Sequence, residues 1–337
     1  MNRLRGWLQA VGATAITLDR ILRAPLEPAP YPALFDLLTA QRERDRALCV
    51  ASAMRFLGIA HAGAQGLRAS YPQPPIEAIV QDLGPEGFRE LLHQDLDPAL
   101  TEIFEVVAPV VIELAISRLS IRDRLSHPGP ALKGHDWLPR AVARAGSILG
   151  APPPRVFGRR NPGPPLVPAA TKPPSLLAHP PALGGIAGDV VAFLIGKRVL
   201  EITPPLLARA LCPSLTELKA LAQSAARIAT EQTEPSDVPL KERLKREDIA
   251  RLADAVRLSR STTGKLDVLS WSRRADVSAC RAGLLLAGDL EAARAALAIE
   301  AQAPSDLTPR EKMKELVAWF LGDACAALRK RLGVALA

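Results

Sequence analysis

Apolar residues recur at helical spacing along most of the chain. Residues 3–23, residues 32–40 and the run ALCVASAMRFLGIA (47–60) each place apolar side chains at i, i+3 and i+4, the pattern of a helix with one buried face. The same spacing predicts helices over 60–70, 75–83, 86–93 and 99–118. Breaks fall at Pro25, Pro28 and Pro30, at Gly58, at Pro72-Gln73-Pro74-Pro75 and at Gly84-Pro85. Asp97-Pro98 reads as a helix start: the Asp carboxylate can accept from free backbone N–H groups, and Pro lacks an N–H where none is needed. Up to residue 125 the pattern describes an antiparallel helical array.

The run SHPGPALKG (126–134) interrupts this periodicity and marks a candidate boundary. A helix is predicted over 135–149, ending at Gly150. In the next stretch, 151–185, proline forbids helix and isolates short apolar pieces at Val156-Phe157, Leu166-Val167 and Leu176-Leu177. Two or three short strands of a small sheet are expected there, with disorder as the alternative. Helical spacing returns over 186–201, in a short segment opened by Pro204-Pro205, and over 213–231, 248–259, 264–286, 288–300 and 308–332. The charged run SDVPLKERLKRED (236–248) reads as exposed. Asp289 is placed to cap one helix, and Ser305 or Thr308 with Glu311 to cap the last. The expected fold is mainly α (α+β): a helical array over 1–125 packed on a second helical unit over 135–337 that carries a small β-sheet.

Composition narrows the class without naming a function. Hydrophobic residues at 48% and charged residues at 23% fit a globular chain. With aromatics at only 4%, Leu, Ala, Val and Ile must build the core. Cys49, Cys212, Cys280 and Cys325 are widely separated, which argues against a disulfide framework and for reduced thiols. The first 24 residues read as an amphipathic helix rather than a leader, and IFEVVAPVVIELAIS (103–117) is too short and too charged to span a bilayer. A soluble, cytoplasmic protein is expected.

The formal charge of +8 is unevenly placed. Between Trp137 and Gly188 there is no acidic residue, while Arg140, Arg144, Arg155, Arg159, Arg160 and Lys172 are all basic. This segment could meet nucleic acid or an anionic membrane surface. A self-solvating basic loop is the favoured reading, because only Phe157 accompanies the arginines as a stacking aromatic.

Recognisable catalytic patterns are missing. The five histidines, His61, His93, His127, His135 and His179, include no H-x-x-x-H pair. Gly196-Lys197 and Gly264-Lys265 lack both the upstream glycine and the following Ser/Thr of a phosphate-binding loop. No G-x-S-x-G elbow occurs. Nothing in these patterns calls for a metal or a cofactor.

Two segments nevertheless resemble a known family. VVAFLIGKRVLE (190–201) is similar to the helix that carries H-E-x-x-H in HtpX-like and CaaX-prenyl-protease-like zinc peptidases. DVSACRAGLLLAGDLEAARAAL (276–297) resembles that family's second helix, with its E-x-x-A-D followed by a "GD" turn. Residues 155–178 stand where the family has the small sheet beside its substrate groove. The resemblance implies a gluzincin-like domain, and it places Gly196 and Leu200 at the two zinc-binding histidines and Lys197 at the general base. Asp276 falls at the third ligand and Cys280 at the Asp that follows it. Glycine and leucine offer no lone pair and lysine is a cation at neutral pH, so this set cannot hold zinc or generate hydroxide. A Lys197–Asp276 ion pair in place of the metal is expected.

A second resemblance covers more of the chain. ALFDLLTAQRERDRALCVASAMRFLGIA (33–60), AFLIGKRVL with PSLTELKAL (192–200 and 213–221), ACRAGLLLAGDLEAA (279–293) and KMKELVAWFLGDACAALRKRLGV (312–334) are similar to C-terminal regions of large tetratricopeptide-containing proteins of the myxobacterial type. It implies one TPR-like helix pair within 1–125, followed by a degenerate zinc-peptidase-like domain over 135–337. Together these features suggest a non-catalytic pseudo-peptidase acting as an interaction or scaffold protein, with a protein or peptide segment bound in the former groove by strand addition. The alternatives are a zinc-dependent peptidase with an unrecognised site, and an anionic partner held by the basic 140–172 segment.

Overall fold

Proline and glycine end the helices much as their chemistry dictates. The computed structural model describes residues 2–119, 128–262, 264–300 and 306–336. It begins with α1 (Asn2–Arg23), α2 (Tyr31–Ala40), α3 (Arg44–Phe56), α4 (Ala62–Ser70), α5 (Gly84–Leu91) and α6 (Pro98–Ser117). Asp97 caps α6 by accepting from the N–H groups of Ala99 and Leu100, with Pro98 in the first turn. The predicted helix over 75–83 is only a single 3₁₀ turn, Ile76–Ala78. The chain beyond it is held by another element: Arg144 donates to the carbonyls of Ile79 and Gln81, and the Leu83 N–H donates to the Ile148 carbonyl.

Helix α7 (Trp137–Ile148) leads into a three-stranded mixed sheet of β1 (Val156–Gly158), β2 (Leu166–Ala169) and β3 (Ser175–Ala178). Its order is β1-β3-β2, with β1 parallel and β2 antiparallel to β3, and Phe157 opposite Leu177 and Leu166 opposite Ala178. The proline-rich stretch therefore forms strands, one at each isolated apolar piece. Of the candidate boundary, residues 126 and 127 lie outside the described residues, as do His127 and Ser305. Residues 130–132 run beside β1, with the Leu132 N–H donating to the Val156 carbonyl and the Gly158 N–H to the Pro130 carbonyl.

The remaining helices are α8 (Gly188–Glu201), α9 (Pro204–Leu211), α10 (Leu215–Ala229), α11 (Val238–Lys241), α12 (Arg246–Thr262), α13 (Val268–Ala287), α14 (Leu290–Ile299), α15 (Pro309–Leu321) and α16 (Asp323–Arg331). The helix predicted over 308–332 is split, because extended Gly322 ends α15 and opens α16. Thr308 and Glu311 form the expected capping box, and Asp289 caps α14. The 236–248 run is not wholly exposed: Asp237 is buried and paired with Arg227 at 2.6 Å.

Buried apolar side chains from Ile21 to Leu332 form one contiguous core. Helix α6 lies against α9 and α12, α3 against α14 and α15, and α5 against α16. Helix α8 runs through the middle, bounded by α13, α14, α7 and β2. Among the described residues no helix is long and apolar enough to cross a membrane.

Candidate functional site

Every residue from Phe193 to Glu201 is buried, so α8 has no solvent face over its C-terminal half. Its closest neighbour is α13, and the approach depends on two glycines. A Cβ on Gly196 would stand 2.6 Å from the Ala282 carbonyl oxygen, and one on Gly283 would stand 2.6 Å from the Phe193 carbonyl oxygen. The helices thus cross at Gly196 and Gly283. Asp276 lies about two turns earlier on α13, and the long Lys197 side chain spans the gap.

Around Lys197 the core contains a closed set of charges. Lys197 Nζ lies 3.2 Å from Asp276 Oδ1, the juxtaposition expected from the sequence, and 2.5 and 2.7 Å from the two Glu300 carboxylate oxygens. Lys312 Nζ bridges the same two carboxylates, at 2.9 Å from Asp276 Oδ2 and 3.3 Å from Glu300 Oε1. Arg198 donates to Glu201 at 2.5 Å, to Glu300 at 3.1 Å and to the Leu166 carbonyl of β2 at 3.0 Å. Arg209, from α9, donates to Glu201 Oε1 at 3.1 Å and places Nη2 2.6 Å from Asp276 Oδ1. That last contact is electrostatic rather than a well-aligned hydrogen bond, and Arg209 Nε has no acceptor among the described residues. Lys197 and Asp276 are fully buried.

Removing these groups from water is costly, and only opposite charges at hydrogen-bond distance offset it. Burial by itself would lower the Lys197 pKa, but Asp276 and Glu300 overcome it and hold the ammonium above its ordinary value. Burial would raise Glu201, yet Arg198, Lys197 and Arg209 bring it down to about 2. Burial pushes the Cys280 thiol up to about 12, and its Sγ lies 4.0 Å from Asp276 Oδ1. The cluster therefore contains no thiolate nucleophile and no free base. Both Asp276 oxygens face cations, Gly196 sits in the helix crossing, and Leu200 is buried in the core. Among the described residues no group of three or more His, Cys, Asp or Glu side chains is placed to hold a metal ion.

Sequence reasoning found Lys197 and Asp276 but not the rest of the cluster. Arg198 and Glu201 were visible as polar residues on an apolar helix, and Arg209 as an arginine within the apolar PPLLARAL (204–211). Lys312 and Glu300 carried no such signal: Lys312 stands in the charged run REKMKE (310–315), and Glu300 precedes the polar stretch AQAPSD (301–306).

The basic segment does not present six free cations. Arg144 is committed to Asp82 at 2.8 Å and to the two carbonyls that pin residues 79–81. Lys172 pairs with Glu113 at 2.6 Å. Arg155 lies over the Phe157 ring, Arg140 and Arg160 are exposed, and Arg159 is half-buried. The edges expected for strand addition are also taken. Residues 130–132 run along β1, while β2 is covered by α8 and α9, gives its Leu166 carbonyl to Arg198, and has no N–H at Pro168. Capture of an extended peptide by pairing with this sheet would require displacing one of those partners. Compared with protein-family models, curated proteins and solved structures, the chain has no match, so the resemblance to zinc peptidases rests on the residues quoted for it.

Proposed function

We propose that this chain is a non-catalytic interaction module, built on a peptidase-like helical frame in which an ion cluster stands where a metal centre would be. The observation that carries the reading is Lys197: its ammonium sits between Asp276 and Glu300 at 3.2 and 2.5 Å, on the helix that resembles the H-E-x-x-H helix. A lysine so enclosed can neither ligate zinc nor accept a proton from water. Packing around it holds a rigid frame, and rigid frames suit surface recognition.

Elemental analysis of protein purified with added zinc, together with digestion of a fluorogenic peptide library with and without chelator, tests the catalytic half of this reading. Zinc well below one equivalent and no chelator-sensitive cleavage are expected. Stoichiometric zinc with histidine ligation, or cleavage lost on chelation, would overturn it. For the interaction half, a defined partner should remain bound in stoichiometric amount through chelator washes.

A further inference from the structure

A second feature lies on the opposite side of α8 from the ion cluster. Gly188, Ala192 and Ile195 follow one another at i, i+4 and i+7, and they face a cleft of about 370 Å³. Its floor and walls are Ile76, Trp137, Ala192, Ile195 and Leu286. Ile76, Ile195 and Leu286 are buried, whereas Trp137 is 40% exposed. The volume lies in the range of formed ligand sites and would accept a bulky apolar side chain.

The charges around this cleft are one-sided. Glu77 and Asp189 line it, both are exposed, and neither has an ion-pair partner among the described residues. No Lys or Arg lines it, although the chain carries a net charge of +8. Asp189 has a local role in the first turn of α8, where the helix dipole favours a carboxylate and where it accepts from the Val190 N–H. Glu77 lies in the 3₁₀ turn after the prolines and has no comparable role. An apolar pocket with an exposed tryptophan and an acidic rim complements an apolar anchor flanked by cations.

Resting on the reading of this chain as an interaction module, we infer that the cleft between Pro74–Glu77, α7, α8 and the end of α13 docks a protein segment in which one bulky apolar residue is flanked by Lys or Arg. Trp137 packs on the anchor, and Glu77 and Asp189 receive the flanking cations.

The test uses the full chain and three fluorescein-labelled peptides: Gly-Lys-Phe-Lys-Gly, the same with Glu for each Lys, and the same with Ala for Phe. Fluorescence anisotropy at two salt concentrations should show the first bound at least about tenfold more tightly than either control, and more weakly at high salt. Trp137→Ala should weaken it by about tenfold. Glu77→Lys, a change at an exposed position with the fold checked by circular dichroism, should weaken it and reduce the salt dependence. Equal binding of the Glu peptide, no saturable binding of any peptide, or binding unmoved by Trp137→Ala and Glu77→Lys would each overturn the inference. So would concentration-dependent self-association lost in Trp137→Ala, which would make a second copy the occupant. None of these results bears on zinc content or cleavage, so the cleft can fail while the non-catalytic reading stands.

Discussion

The desolvation cost of the Lys197 ammonium is met only because Asp276 and Glu300 surround it. Replacing Lys197 by Met keeps the unbranched stem but for its terminal atom and removes the charge, leaving two carboxylates to share Lys312 and the arginines. We expect Lys197→Met to lower the unfolding free energy by about 3–5 kcal/mol, measured by urea denaturation. A loss below about 1 kcal/mol would mean that the neighbouring cations absorb the change. His93 supplies a separate test by pH. Burial, with Arg281 and Arg274 nearby, lowers its pKa from 6.5 to about 4, and its Nδ1 accepts from the Asp95 N–H. Because the unfolded chain protonates this ring first, its contribution is complete above pH 6.5 and is lost as pH falls through 4. Glu201 gives a lower limb: its contribution is complete above pH 4.5 and is lost as pH falls toward about 2. Urea titrations should therefore show a decline of roughly 1–3 kcal/mol from pH 7.5 to 4.5 and a further decline by about pH 3, and His93→Gln should flatten the first part while sparing the second. A lysine in an apolar helix announces itself in a sequence. Glu300 does not, because what makes it part of the site is the path by which the end of α14 returns to α8.

Among the elements, the pairing of α8 with α13 was the most legible. Uniform apolarity marks α8 as central, and Gly196 marks where a neighbour can come close. The site of crossing on α13 was not legible: the sequence paired Lys197 with Asp276 by charge, whereas the backbones touch at Ala282–Gly283. Side-chain chemistry suggested one residue and backbone sterics selected another. Similar reasons explain the elements that differ from their pattern. Residues 79–83 have helical spacing, but Arg144 and Ile148 claim their backbone groups. Residues 308–332 have continuous spacing, yet Gly322 turns the chain between two helices. For Gly196→Ala two effects oppose each other. Intrinsic helix propensity favours alanine by about 1 kcal/mol, but its Cβ would lie 2.6 Å from a carbonyl oxygen that belongs to backbone and cannot swing aside. Overpacking of this kind costs about 1–3 kcal/mol or more and should win. Both Gly196→Ala and Gly283→Ala are expected to lower the thermal midpoint, and a rise in either would show that the helices separate easily.

Taken whole, the molecule joins its first helices to its last through a buried ion pair. Arg329 of α16 grips the Asp45 carboxylate of α3 with Nε and Nη2, at 2.8 to 3.2 Å, and the Leu336 N–H donates to the same carboxylate. Arg329 also donates to Gln73 Oε1 and the Val334 carbonyl, so one guanidinium ties together α3, the proline turn and the chain end. Neither residue stood out in sequence, since Asp45 lies in the charged run QRERDR (41–46) and Arg329 in RKR (329–331). The cleft was hidden for the same reason: four separate stretches build it, and periodicity reports only which face of each is apolar. Composition and spacing gave the helical class and the small sheet, but distant segments meet only through tertiary packing. Asp45→Ala leaves a guanidinium only 2% exposed without its carboxylate, a loss of about 3–5 kcal/mol. Because the core is continuous from Ile21 to Leu332, that loss should move the unfolding midpoint of the entire chain. Far-ultraviolet circular dichroism and tryptophan fluorescence should shift together in Asp45→Ala. An early transition seen by one probe alone would instead show that the first helices can leave while the ion cluster and its helices stay folded.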